Sequence, residues 1–338
     1  MLIAAHNEER SIAEKIENCL TLEYPPEQLD IIVVSDGSTD QTNEIVERYA
    51  LRLPERVTLI TLHNRGGKAQ ALNAGAVTAA GDILLLADAR QRFDAQVVRT
   101  LVRNFSDPEV GAVSGELFLG SEGVAEKPEG LGLYWRYEKM IRQAESRGGS
   151  TVGYSGAISA IRRSLFRPLP VDTLVDDLVT PLQVAAQGYR VVFEPGAHAF
   201  DQVSSTPGHE FARKVRTLAG VTQTLLRLRQ LAGPLSLRLQ WQFWSHKVMR
   251  LLVPYALAMA FFASLMLDGL FYQGAFLVQA TVYGLGVLGM IGRLKGVWAR
   301  LALTPQTFLM LNMAAVTGVI RYFIGQRLDL WRQARPNH

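Results

Sequence analysis

The sequence predicts an α/β domain with a mostly parallel, doubly wound sheet and helices on both faces, followed by helices that meet a membrane. Short apolar runs rich in β-branched residues alternate with helical patterns from Leu2 to Phe118, as βαβ units with short connections require. Two of those runs end in acidic turns, Asp36-Gly37-Ser38 and Asp88-Ala89-Arg90. Three uncharged stretches then follow between Leu251 and Ile320, each about as long as a bilayer core is thick.

Taken in order, Leu2–Ala5 is a short strand and Ser11–Leu22 a helix broken by Tyr24-Pro25-Pro26, since proline cannot continue it. Ile31-Ile32-Val33-Val34 is too uniformly apolar for a half-exposed strand and reads as a buried parallel one. Ser38, Thr39 and Asp40 can each cap the next helix, Gln41–Tyr49. Val57–Leu62 is a third strand. Asn64-Arg65-Gly66-Gly67-Lys68 is a turn into the helix Ala69–Ala79; lacking full P-loop spacing, it is either a phosphate-approaching turn or a plain loop. Ile83–Ala87 and Val110–Phe118 are further strands, Gly132–Glu145 has helical spacing, and Thr151–Ile161 is strand-like. Asp176-Asp177 precedes the apolar run Leu178–Ala186. That pair is either a helix start favoured by the dipole or the seat of a general base. Adjacent residues do not share a helix face, so one of the two at most reaches a given reacting centre.

In a parallel sheet Asp36 and Asp88 face one rim, the carboxyl ends where open α/β sheets bind ligands. Asp36 can accept from a pyrimidine N–H or a ribose hydroxyl and would repel a phosphate. The alternative is a capped turn without a ligand.

Composition narrows the classes. A single Cys19 excludes an intrachain disulfide and a cysteine zinc cluster, and the six histidines lack metal spacing such as H-E-x-x-H. The net charge of +4 is unevenly placed. Residues 227–338 carry +10, with Asp268 and Asp329 as their acids, and residues 1–226 carry −6. An acidic front half argues against nucleic acid as a partner, and a basic, apolar rear half suits anionic membrane lipids. Met1 leads directly into a strand with no signal peptide, which sets up the expectation of a few residues upstream, a membrane helix among them.

These pieces together resemble the family 2 glycosyltransferases, in particular the membrane-bound branch that includes cellulose, hyaluronan, chitin and poly-N-acetylglucosamine synthases. The resemblance covers nearly the whole chain and rests on five stretches in the right order: Ile31–Asp40, Gly67–Asn73, Leu86–Arg90, Val175-Asp176-Asp177 and Arg213–Thr217. It implies an A-type glycosyltransferase fold, Rossmann-like, and a nucleotide-sugar donor. It also implies roles for residues. Asp36 matches the carboxylate that reads the base, usually uracil. Lys68 matches a lysine beside the nucleotide. Asp88 matches the first acid of an Asp-x-Asp near the ribose and the Mg²⁺ or Mn²⁺ on the diphosphate. Asp177 matches the general base, and Arg216 the arginine on the leaving diphosphate, with Arg213 beside it. Inverting transfer needs a base on one face of the sugar and cations on the departing diphosphate at the other.

Three departures stand out. The second acid of Asp-x-Asp is Arg90, the Gln of Gln-x-x-Arg-Trp is Arg213, and its Trp is Thr217. The first removes an expected metal ligand. Extra arginines near the diphosphate can offset that loss, or Arg90 forms a structural ion pair. Thr217 leans toward single addition rather than processive synthesis.

The expected organisation is a cytoplasmic nucleotide-sugar domain over 1–225, an amphipathic interfacial segment over 226–250, two to three membrane helices over 251–325 and a basic tail over 326–338. Leu251–Leu267, Ala275–Gly292 and Leu301–Ile320 are uncharged over 17, 18 and 20 residues. A soluble core helix is the poorer reading, because three such runs would need a large partner to cover them. Leu226–Arg250 mixes arginines with Trp241, Phe243 and Trp244, as a helix lying on an anionic membrane does; a polar helix packed on the sheet is the alternative. A cytoplasmic front domain at the inner membrane puts Asp268–Gly274 outside and Arg293, Lys295 and Arg300 inside, as the positive-inside rule prefers. A third full span would carry Arg327, Arg332 and Arg335 outside. The third segment is therefore interfacial or re-entrant, or it breaks the rule.

The leading function is an inverting transfer from a nucleotide-sugar, a UDP-sugar by the resemblance, to a polysaccharide or lipid-linked acceptor at the membrane. The competing class is a non-catalytic nucleotide-sugar-binding subunit, motivated by Arg90.

Overall fold

The computed structural model of the chain describes residues 1–121, 124–125, 132–201, 207–292 and 294–325. The expected basic tail 326–338, with Arg327, Arg332 and Arg335, lies outside them, as does Arg293.

The strands are β1 (Leu2–Ala5), β2 (Ile31–Asp36), β3 (Val57–Leu62), β4 (Ile83–Asp88), β5 (Arg92–Phe93), β6 (Val110–Ser121), β7 (Val124–Ala125), β8 (Ile158–Arg162) and β9 (Arg190–Asp201). They form one sheet ordered β3-β2-β1-β4-β8-β6-β9-β5, with β7 paired to β6. The first four are parallel. The sheet is mixed beyond them, because β8 runs antiparallel to both β4 and β6. The chain reverses order between β1 and β4, and a crevice opens at the carboxyl ends of strands at such a switch. Asp36 and Asp88 end the strands on either side of β1.

The helices are α1 (Ile12–Leu20), α2 (Thr42–Arg52), α3 (Lys68–Thr78), α4 (Val97–Val102), α5 (Gly132–Arg147), α6 (Asp176–Ala186), α7 (Pro207–Leu226), α8 (Leu228–Leu231), α9 (Leu237–Gln242), α10 (Met249–Met266), α11 (Leu270–Met290) and α12 (Val297–Phe323). Side chains alternate across a strand, and β2 shows the consequence. Ile31 and Val33 join the core made with α1, α2 and α4. Ile32 and Val34 join the core made with α3, α6 and α7. Both faces are covered, which is why the run lacks polar positions.

The stretch expected to be strand over Thr151–Ile161 pairs as a strand only from Ile158. Residues 151–157 form a turn-rich loop instead, and Gly153 and Gly156 within it face the site described below.

The second core also takes in Leu239, Phe243, Val248 and Leu251, and Ala314 and Ala315 of α12. α9, a π-helical turn over Phe243–Val248 and α10 run as one helix, Leu237–Met266. Its start packs on the α/β domain through Leu239 and Phe243, while Trp241 and Trp244 stay exposed. Farther along, Met259, Phe262 and Leu265 are exposed, as are Phe271, Leu277 and Val278 of α11. Three helices, Leu237–Met266, Leu270–Met290 and Val297–Phe323, are long and apolar enough to cross a membrane. The last also packs on the α/β domain. A Cβ on Gly318 would come within 2.8 Å of the Val215 carbonyl oxygen, so the second half of α12 lies directly on α7.

Candidate active site

The β2 rim is built from backbone. Asp36 is 0% exposed, and its two carboxylate oxygens accept from the Gly66 and Gly67 amides at 2.7 Å each. Charge-assisted bonds of this kind are about twice as strong as neutral ones. The turn needs its glycines: Gly67 has φ +89°, and a Cβ on Gly37 (φ +61°) would lie 2.8 Å from the Arg65 nitrogen. The end of β1 is tied to the same turn. His6 Nδ1 donates to the Asp36 carbonyl at 2.7 Å, and Asn7 Oδ1 accepts from the Thr39 amide at 2.8 Å. Asp40 Oδ1, just ahead of α2, accepts from the Thr42 amide at 3.0 Å.

The centre of the site is a lysine among carboxylates. Lys68, the first residue of α3, lies 2.7 Å from Asp88 Oδ1 and 3.3 Å from Asp176 Oδ2, and it donates to the Gly156 carbonyl at 3.2 Å. Burial works against its charge, but Asp176 and Asp88 outweigh that and hold the ammonium above the usual lysine range.

Asp177, next along α6, is half-buried, and its carboxylate accepts no hydrogen bond among the described residues. Burial and the neighbouring Asp176 push its carboxyl up to about 6, against the pull of Lys68, Arg216 and Lys247. That is the range in which a carboxylate serves as a base near neutral pH. A Cβ on Gly156 would sit 3.3 Å from Asp177 Cβ and 3.3 Å from Lys68 Nζ, so the bare backbone there lets the two side chains meet. The Asp177 backbone is held in turn by its carbonyl, which accepts from the Tyr154 amide at 3.0 Å.

The arginines divide. Arg216 acts on Asp177 from α7, whereas the exposed Arg213 pairs with Glu210 one turn back, and Thr217 donates to the Arg213 carbonyl at 3.0 Å. Arg90 points toward Glu8, with its Nε 4.0 Å from Glu8 Oε1. Among the described residues no cluster of three or more His, Cys, Asp or Glu side chains could hold a metal. Asp88 is a different kind of donor. Lys68 takes one of its oxygens, and the other accepts no hydrogen bond among the described residues. One open carboxylate oxygen fits a divalent ion whose remaining ligands are substrate phosphates and water.

Sequence reasoning missed Lys247, which it placed on a membrane-surface helix, and the glycines 153 and 156. No local pattern marks them; they reach the site from loops and a helix that the sequence separates widely.

A parallel rim with two acidic strand ends, a lysine between carboxylates and an arginine-bearing helix beside them defines a glycosyltransferase catalytic domain. The chain belongs to glycosyl transferase family 2, whose sequence model matches residues 1–169. It is 28% identical to a poly-β-1,6-N-acetyl-D-glucosamine synthase of Staphylococcus aureus over 235 residues, 67% of this chain and 55% of that protein. The match therefore spans about half the length of that relative. In fold the chain is similar to a mannosyltransferase from Pyrobaculum calidifontis solved with GDP-Man and Mn²⁺, at TM-score 0.75 and 24% identity, covering 96% of this chain and 87% of the other. It is also similar to residues 1–349 of S. aureus TarS solved with UDP, at TM-score 0.51 and 16% identity, covering 96% and 91%.

Proposed function

We propose that this glycosyltransferase moves a sugar with inversion from a nucleotide-sugar, a UDP-sugar, to a growing polysaccharide or lipid-linked acceptor at the membrane face. The observation that carries the reading is Asp177, a carboxyl poised at about 6 beside Lys68 and under the influence of Arg216. In this scheme Asp177 takes the proton from the acceptor hydroxyl as the acceptor attacks the anomeric carbon. Arg216 and Lys68 face the diphosphate and stabilise the charge that develops as it leaves. Arg213 joins them once released from Glu210. Asp36 holds the Gly66-Gly67 turn with one lone pair on each oxygen, and because the side chain is fully buried its remaining lone pairs accept from the base only once that turn shifts. Asp88, together with the donor phosphates, would hold Mg²⁺ or Mn²⁺; such an ion neutralises part of the diphosphate charge.

The supporting relatives bear on the donor. UDP is bound in the TarS structure, and the synthases are named for a polymer of N-acetylglucosamine. The organisation proposed is a cytoplasmic domain over 1–225, an interfacial segment over 226–250 whose Trp241 and Trp244 face lipid, and helices over 251–325 in the inner membrane. UDP release from purified protein in detergent, measured over a panel of donors, tests the reading: one donor should give acceptor-dependent UDP release. A competing reading, a non-catalytic nucleotide-sugar-binding subunit, is favoured by Arg90 in place of the second acid; it expects donor binding and no release with any donor.

A further inference from the structure

Lys247 sits where the membrane helix enters the catalytic domain. It lies in the π-helical turn Phe243–Val248, immediately before α10. π-Helical turns are uncommon and gather at functional sites. The position that a Cβ on Gly153 would occupy is 3.6 Å from the Asp177 carbonyl oxygen, 3.7 Å from Lys247 Cε and 3.8 Å from Lys247 Nζ. The ammonium thus lies against the loop that holds the base. Its neighbours in the turn are spoken for. His246 places Nδ1 2.8 Å from Glu145 and Nε2 3.3 Å from Glu138, both on α5, and Arg250 pairs with Glu138. Lys247 itself makes no hydrogen bond or ion pair among the described residues. Lys247 is half-buried, and an ammonium partly withdrawn from water without a hydrogen bond is costly, so packing alone would favour a methionine there.

We propose that Lys247 is a positioning residue for the general base: from the root of the membrane helix, its ammonium keeps Asp177 ionised for proton abstraction. The inference rests on Asp177 being the base. The charged groups that face Asp177 are Asp176 from its own helix, Lys68 from α3, Arg216 from α7 and Lys247. Those that face Lys247 are Glu138, Glu145 and Arg142 from α5 and Arg250 from its own helix. Asp176 favours the protonated form of Asp177; the three cations oppose it. Removal of one cation leaves Asp176 less opposed. The same lysine couples anchorage to chemistry, because a tilt of the membrane helix moves a charge beside the base.

The test uses the full chain in detergent and compares Lys247→Met and Lys247→Arg with wild type across pH. In Lys247→Met the acidic limb of the rate should move up by about one pH unit, the small end of what a neighbouring charge does. Turnover should fall about tenfold on that limb and converge with wild type above pH 8, where Asp177 is ionised in both. UDP affinity should stay within about twofold and Tm should not fall, while Lys247→Arg restores the limb. An unshifted limb, or an equal loss at every pH, overturns the proposal. If Lys247→Met does not fold, Lys247→Gln is read by the same outcomes. Asp177→Asn separates the two claims: near-normal turnover there defeats the base itself, whereas an inactive Asp177→Asn with an unshifted Lys247→Met limb defeats only the role of Lys247.

Discussion

On the β2 side of the crevice, Asp36 receives two backbone amides from a turn 30 and 31 residues downstream. On the α6 side, Asp177 accepts no hydrogen bond among the described residues and is held in a field of whole charges from Lys68, Arg216 and Asp176. The contrast shows two ways to place a carboxylate. Short bonds to amides fix a group's position and leave it little to do but bind. Surrounding charges leave its proton adjustable, which is what acid–base chemistry needs.

The contrast is broken most severely at the adjustable side. If Asp177 is the base as proposed, Asp177→Asn should lower turnover by about 10²–10⁴-fold, the usual scale for a lost general base, with donor affinity nearly unchanged because a base acts on the acceptor. Wild-type activity should fall as pH drops through about 6, where Asp177 takes up its proton. Steady-state rates beside donor calorimetry check both statements, and near-normal turnover would move the role to Asp176.

At the fixed side the effect should be on binding and stability. Asp36→Ala strands the Gly66 and Gly67 amides as well as any contact to the base. UDP affinity should weaken by about 1.5–3 kcal/mol, the scale of hydrogen bonds to a charged group, and Tm should fall as well. Unchanged affinity in a folded variant, by calorimetry, would make Asp36 a turn residue only.

The membrane root sharpens the comparison from a third direction. The full chain should stay with membranes through a carbonate wash, since the exposed apolar residues of α10 and α11 have no protein cover. A version ending near Arg229 should lose that attachment. Recovery of the full chain in the soluble fraction would sink the spans.

The smallest effect expected is at Arg90. Activity should depend on Mg²⁺ or Mn²⁺, and Arg90→Asp should need several-fold less metal for half-maximal rate, because a second carboxylate adds to Asp88. Full activity in excess EDTA would assign the diphosphate to the arginines alone. An equal metal requirement would show that Arg90 serves only Glu8, 4.0 Å away.

What the chain determined by itself is the local part of this picture. Ile31–Val34 needed only its β-branched run to be read as a doubly covered strand. The acidic turns after β2 and β4 could be placed because a strand and its cap are adjacent in sequence. The uncharged lengths of α10, α11 and α12 likewise carry their own meaning. Tertiary structure decided the rest. The antiparallel entry of β8 depends on pairing between residues about 75 apart, which no local period records. Residues 151–157 are loop rather than strand, and Gly153 and Gly156 there lie against Asp177, Lys68 and Lys247. α12 packs along α7, since Gly318 permits a contact that its sequence neighbours do not announce. The charge on Asp177 belongs to the same class: electrostatic fields add over whatever the fold brings close, and Lys68, Arg216 and Lys247 come from three different segments.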